Sequence, residues 1–70
     1  MTNTQLLVDA IDKSGYKRSY IAKAIGLKST NGLAKKINNE SEFKASEIFA
    51  LCSLLGISTD EERNAIFFAN

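Results

Sequence analysis

With one cysteine and no histidine in 70 residues, this chain has to fold without a staple. A disulfide needs a second thiol, and a structural zinc site needs four Cys or His ligands. Chains below about 70–80 residues usually rely on such cross-links, because one small core leaves only a few kcal/mol of net stability. The route left is dense packing of helices, with or without a partner. Apolar residues make up 44% of the chain, enough for a core and too many for a disordered segment. The length sets one domain, residues 1–70.

The apolar spacing predicts five helices. Residues 5–14 carry Leu7, Val8, Ala10 and Ile11 at helical period. Thr4 is the expected N-cap, and Gly15 the expected stop. Residues 18–25 put Ile21, Ala22 and Ile25 on one stripe before Gly26. The third segment starts at Ser29 or Thr30 and runs to about residue 38, with Leu33 and Ile37 one turn apart. Asn38-Asn39-Glu40-Ser41 reads as a polar loop. Residues 45–55 hold Ile48, Leu51, Leu54 and Leu55, with Glu47 near the positive helix start. The last helix covers about residues 59–68, and Thr59-Asp60-Glu61-Glu62 matches a capping box. No segment keeps a two-residue alternation, so the expected class is all-α.

Charge is unevenly spread. Residues 13–36 hold Lys13, Lys17, Arg18, Lys23, Lys28, Lys35 and Lys36 and no acid, a local charge of +7 in a chain of net +1. Residues 1–12 sum to −2 and residues 37–70 to −4. A basic stretch beside acidic surroundings is the electrostatic footprint of a nucleic-acid face. A solvated lysine-rich surface is the plainer alternative. No apolar run approaches the ~20 residues of a membrane span. Met1-Thr2-Asn3-Thr4 has no signal-like character, and the lone Cys52 suits a reducing compartment. The expected setting is soluble and cytoplasmic.

The stretch from Lys17 to Leu27, followed by Lys28 to Ile37, reads as two short helices about a tight glycine-containing turn. Two helices crossing at ~90–120° tolerate only a small side chain where they touch, and Ala22 supplies it. Gly26 can take a positive φ and reverse the chain. Leu27 plugs the corner, while Ile21, Ile25 and Leu33 close the core beneath.

Ile21, Ala22, Ile25, Gly26 and Leu27 form a pattern that resembles the Cro/repressor class of phage helix-turn-helix regulators. Leu54-Leu55-Gly56-Ile57-Ser58 looks like the end of that family's fourth helix. The stretches 32–39 and 42–48 are similar to a narrower group, the Cro-like and modulator-of-repression proteins of lysis–lysogeny switches. The likeness covers roughly residues 4–58. It implies a five-helix lambda-repressor-like domain encoded by a phage or prophage, with the helix-turn-helix at about residues 17–38.

The resemblance makes the third segment a recognition helix in the major groove of an operator duplex. On its wheel Asn31, Lys35 and Asn38 oppose Leu33 and Ile37. Asn pairs with adenine and Lys with guanine at base edges. Ser29 and Thr30, at the helix start, are expected on bases or phosphate. Lys17 and Arg18 open the second segment, where related proteins touch the DNA backbone; Lys28 and Lys36 flank the recognition helix as further phosphate contacts. The sequence departs from the family pattern in four places. The turn is one residue longer, Leu33 and Ile37 stand four apart, Lys17 stands where a capping Ser or Thr often stands, and Gly32 interrupts the helix at ~1 kcal/mol relative to alanine. The register of the base-reading residues therefore stays open by one position.

The remaining residues have plainer expectations. Phe43 and Phe49 should cover the core, Tyr16 should pack while Tyr20 is left open, and Cys52 should act as a small buried hydrophobe. Asp9, Asp12, Glu40 and Glu42 lack any histidine, metal cluster or phosphate loop to act with, so no enzyme, cofactor or small-molecule substrate is expected. Ala65-Ile66-Phe67-Phe68-Ala69 is unusually apolar. In the plainer reading Ile66 and one phenylalanine pack on the first helix; in the functional reading Ile66, Phe67 and Phe68 contribute to contacts with a second copy or a partner repressor. Two readings follow: a self-sufficient DNA-binding repressor, or a protein-interaction modulator with feeble DNA affinity of its own.

Overall fold

Five helices account for most of residues 1–69, the part of the chain described by the computed structural model: α1 (Thr4–Ser14), α2 (Arg18–Ala24), α3 (Thr30–Ile37), α4 (Ala45–Leu55) and α5 (Asp60–Phe67). No strand occurs among the described residues. No helix is long and apolar enough to cross a membrane.

Short polar side chains set the helix starts. Ser29 Oγ accepts the Gly32 N–H at 3.2 Å, and Thr59 Oγ1 accepts the Glu62 N–H at 3.2 Å. Each satisfies one of the donors that a first helical turn leaves orphaned. The hydrogen bonds among the described residues include only this half of the capping box at Thr59. At α1 the cap is Asn3, not Thr4: Asn3 Oδ1 accepts the Leu6 N–H at 3.1 Å. Thr4 is already helical, and its hydroxyl donates instead to the Ile37 carbonyl at 2.6 Å. That tertiary use of the hydroxyl moves the helix start back by one residue. Gly26, at φ 88°, makes the reversal between α2 and α3, and the Leu27 N–H returns to the Ala22 carbonyl at 2.8 Å.

Every helix contributes to one core. Leu7 and Ile11 come from α1, Ile21 and Ala22 from α2, Leu33 and Ile37 from α3, Leu51 from α4, and Ile66 and Phe67 from α5. Ile25 and Ile57 fill in from the helix ends. Removing a side chain of this size from water stabilises by about 1.5–3 kcal/mol, before the entropy of ordering it. α2 packs on α3, and α1 lies against α3, α4 and α5. The Ala22 side chain is buried where these helices meet, as a close helix crossing requires.

Three expectations about apolar residues change. Ile66 and Phe67 are buried, so of the three expected partner-facing residues only Phe68 keeps an open surface. Phe67 meets Phe43 edge to face, with ring centroids 5.6 Å apart. Phe49 does not cover the core: it stands 80% exposed on the outside of α4. Leu51 and Ile48, on the inner side of the same helix, fill that space instead. Tyr16 packs on Tyr20, with ring centroids 5.2 Å apart, and both remain exposed. Cys52 is partly buried, and that burial pushes its thiol up from the ordinary cysteine range.

The amino-terminal residues are strapped across the fold. The Thr2 N–H donates to Asn39 Oδ1 at 2.9 Å, and Asn39 Nδ2 donates back to the Thr2 carbonyl at 2.9 Å. The Asn3 N–H reaches the Ile66 carbonyl at 2.6 Å. Residues 2–4 thus tie the end of α3 to α5. Asn39 sits at φ 64°, a left-handed conformation that Asn tolerates better than most residues.

Candidate nucleic-acid interface

The expected DNA-facing residues fall on α2, α3 and the turn between them. Lys17 is the residue before α2, and Arg18 is its first residue. Lys28 lies in the turn, Ser29 caps α3, and Thr30 and Asn31 form its first positions. Lys35 follows one turn later, and Asn38 ends the helix. All eight are exposed. The burial of Leu33 and Ile37 forces this arrangement, because it turns the opposite side of α3 to solvent. Lys17 has no side-chain oxygen to offer the α2 start, and no side-chain cap forms there.

Lys36 does not join this set. Its ammonium donates to Glu47 Oε1 at 2.5 Å, and the Lys36 and Glu47 side chains keep only 13% and 8% of their exposure. Glu47 Oε1 also accepts the Lys44 N–H at 2.8 Å, satisfying an orphan donor at the start of α4. Burial alone raises the Glu47 carboxyl. The Lys36 hydrogen bond, the Lys44 N–H and the charges of both lysines outweigh it and hold the group below the ordinary carboxylate range. The residue expected on phosphate is therefore half of an internal ion pair joining α3 to α4. The sequence places Glu47 only by its nearness to a helix start; nothing in it marks the partner eleven residues away.

Setting Lys36 aside, six cations of residues 13–36 are exposed: Lys13, Lys17, Arg18, Lys23, Lys28 and Lys35. No acid lies within that stretch to neutralise them. The Tyr16–Tyr20 pair stands beside Lys17 and Arg18 in the chain and adds exposed aromatic surface. Among the described residues no cluster of three or more His, Cys, Asp or Glu side chains is arranged to hold a metal ion.

Asn39, which sequence patterns mark only as part of a loop, holds the carboxyl-terminal end of α3 to the amino-terminal strap. Its one sequence signal is a second asparagine directly after the last periodic residues of the helix. Gly32 lies within α3 with an ordinary φ, and a Cβ there would meet nothing nearer than Ser29 Oγ at 3.6 Å. No family model matches the chain, and neither a curated protein nor a solved structure does.

Proposed function

We propose that this chain is a helix-turn-helix DNA-binding regulator of the lambda-repressor-like kind, a Cro-like repressor without enzymatic activity. The observation that carries this reading is the exposed, acid-free set of cations on and around two short helices joined by a glycine turn. Lys17, Arg18 and Lys28 bind phosphates and fix the register. Ser29, Thr30, Asn31, Lys35 and Asn38 enter the major groove, where amide and ammonium groups discriminate bases. Operator occupancy then excludes polymerase.

Selection from a random duplex library by the purified chain, with competitor DNA at physiological salt, tests this directly. The expected result is one enriched palindromic site, since paired half-sites mirror a twofold protein. Failure to enrich any sequence with a folded sample sinks the reading. Lys35→Ala should cost about 1–3 kcal/mol on the selected site and relax one base position. Lys28→Ala should weaken all duplexes alike and lower the log–log salt slope by about 0.9, the share of a single neutralised phosphate.

A second reading is a protein-interaction module that modulates a partner repressor. It has one observation in its favour, the exposed Phe49 and Phe68 rings.

A further inference from the structure

Asn31 is the one asparagine of this chain that is followed by a glycine, and it stands in the first turn of α3. Asparagine is chemically labile. The nitrogen of the next residue can close a five-membered ring onto its side-chain carbonyl carbon, most easily when that residue has no Cβ to crowd the approach. Gly32 has none, and its φ is ordinary, so no turn requires a glycine there. The Asn31 side chain is exposed, and among the described residues no hydrogen bond engages its amide. The Gly32 N–H is one of the donors that a first helical turn leaves without a backbone partner. It is held by the exposed Ser29 hydroxyl at 3.2 Å. The bond that closes this turn, from the Leu33 N–H to the Ser29 carbonyl, is long at 3.4 Å. A helical backbone keeps the Gly32 nitrogen off the Asn31 side chain, so reaction needs the turn to open, and helix ends open at little cost.

We infer that Asn31 is a site of spontaneous deamidation and that the Ser29 cap sets its rate. The Gly32 nitrogen gives up its proton to water and attacks Asn31 Cγ; the Cγ–Nδ2 bond breaks and ammonia leaves. A succinimide ring then spans the two residues. Water opens it, at the side-chain carbonyl to aspartate or at the backbone carbonyl to isoaspartate, and nothing is oxidised or reduced. Either product puts a carboxylate into residues 13–36, which otherwise hold no acid.

The consequence for DNA rests on the function proposed above. An amide suited to adenine becomes a carboxylate that accepts from cytosine instead, and its charge repels the phosphates on either side of the groove. The aspartate form keeps the fold, because the start of a helix favours a negative charge. A free chain therefore loses its operator as it ages, whereas a chain seated on the duplex has this turn covered.

Ageing the purified full chain in mildly alkaline buffer over days to weeks tests the inference, with intact mass, ion exchange and peptide mapping as readouts. Asn31 should convert ahead of every other asparagine, gaining one mass unit and one negative charge. Ser29→Ala should speed conversion about fivefold, the factor by which losing one N-cap hydrogen bond raises the population of the opened turn. Gly32→Ala should suppress it. An Asn31 that stays intact overturns the inference, as does a Gly32→Ala chain that ages as fast as the natural one. The aged chain and fresh Asn31→Asp should both bind the selected duplex at least about fivefold more weakly, the low end of what one bidentate base contact discriminates. Conversion at Asn31 in a chain that selects no duplex when fresh would leave this chemistry standing and sink the regulator reading. Selection by a chain that never converts would do the reverse.

Discussion

Lys36 brings a positive charge into a nearly closed space, and Glu47 is what makes that tolerable. Taking Lys36 away leaves the Glu47 carboxylate only the Lys44 N–H, and taking Glu47 away leaves the Lys36 ammonium without its carboxylate. Lys36→Met should therefore cost about 2–3 kcal/mol in urea denaturation, and Glu47→Leu on top of it should recover most of the loss. DNA affinity of the folded fraction should not change, in contrast to Lys28→Ala. The same pair sets an acid limb. The Glu47 carboxyl titrates below its ordinary range in the folded chain, so its contribution is complete above the unfolded value of about 4.3 and lost as pH falls through the lowered folded value. Urea midpoints measured from pH 6 down to pH 3 should fall more steeply for the natural chain than for Glu47→Gln. Gly32 is a residue of the opposite kind, stabilising nothing that the fold displays. Its φ is ordinary and a Cβ has room, so Gly32→Ala should raise stability by about 0.5–1 kcal/mol.

Among the elements, α3 is held at both ends by polar side chains, and the two ends differ in how far they are legible in the sequence. Ser29 at its start follows from local chemistry. At its finish the Thr4 hydroxyl and the Asn39 clamp act across 33 and 37 residues, a distance over which no periodicity carries information. Asn39→Ala should cost about 2 kcal/mol, since two hydrogen bonds go and alanine is strained at positive φ. Asn39→Gly, which removes the bonds but not the freedom, should cost less; chemical denaturation separates the two. α4 shows why the place of Phe49 is hard to read. Apolar residues occur all round this helix, so its wheel does not announce which side is inside. In α1 and α3 the polar face is clear, and the inward positions of Leu7, Ile11, Leu33 and Ile37 follow from it. The exposed positions on α2 and α3 are legible for the same reason. Lys36 is not, because its partner lies on another helix.

For the molecule as a whole, the core draws on all five helices, and none has an inner face that another leaves uncovered. Unfolding should therefore be a single step. Far-ultraviolet dichroism and the fluorescence of Tyr16 and Tyr20 should lose signal together on heating. Calorimetry should find an enthalpy of about 50 kcal/mol near 60 °C for a chain of this length. An early tyrosine transition would mean that α2 detaches before the rest.

The Asn3–Ile66 hydrogen bond carries a consequence for biosynthesis. Residues early in the fold are completed by residues made much later, as Asn3 waits for the Ile66 carbonyl and α1 for its packing against α5. At about 5–20 residues per second on the ribosome, several seconds separate the synthesis of α1 from that of α5. Until α5 has been made, the apolar face of α1 is the surface a nascent-chain chaperone would meet.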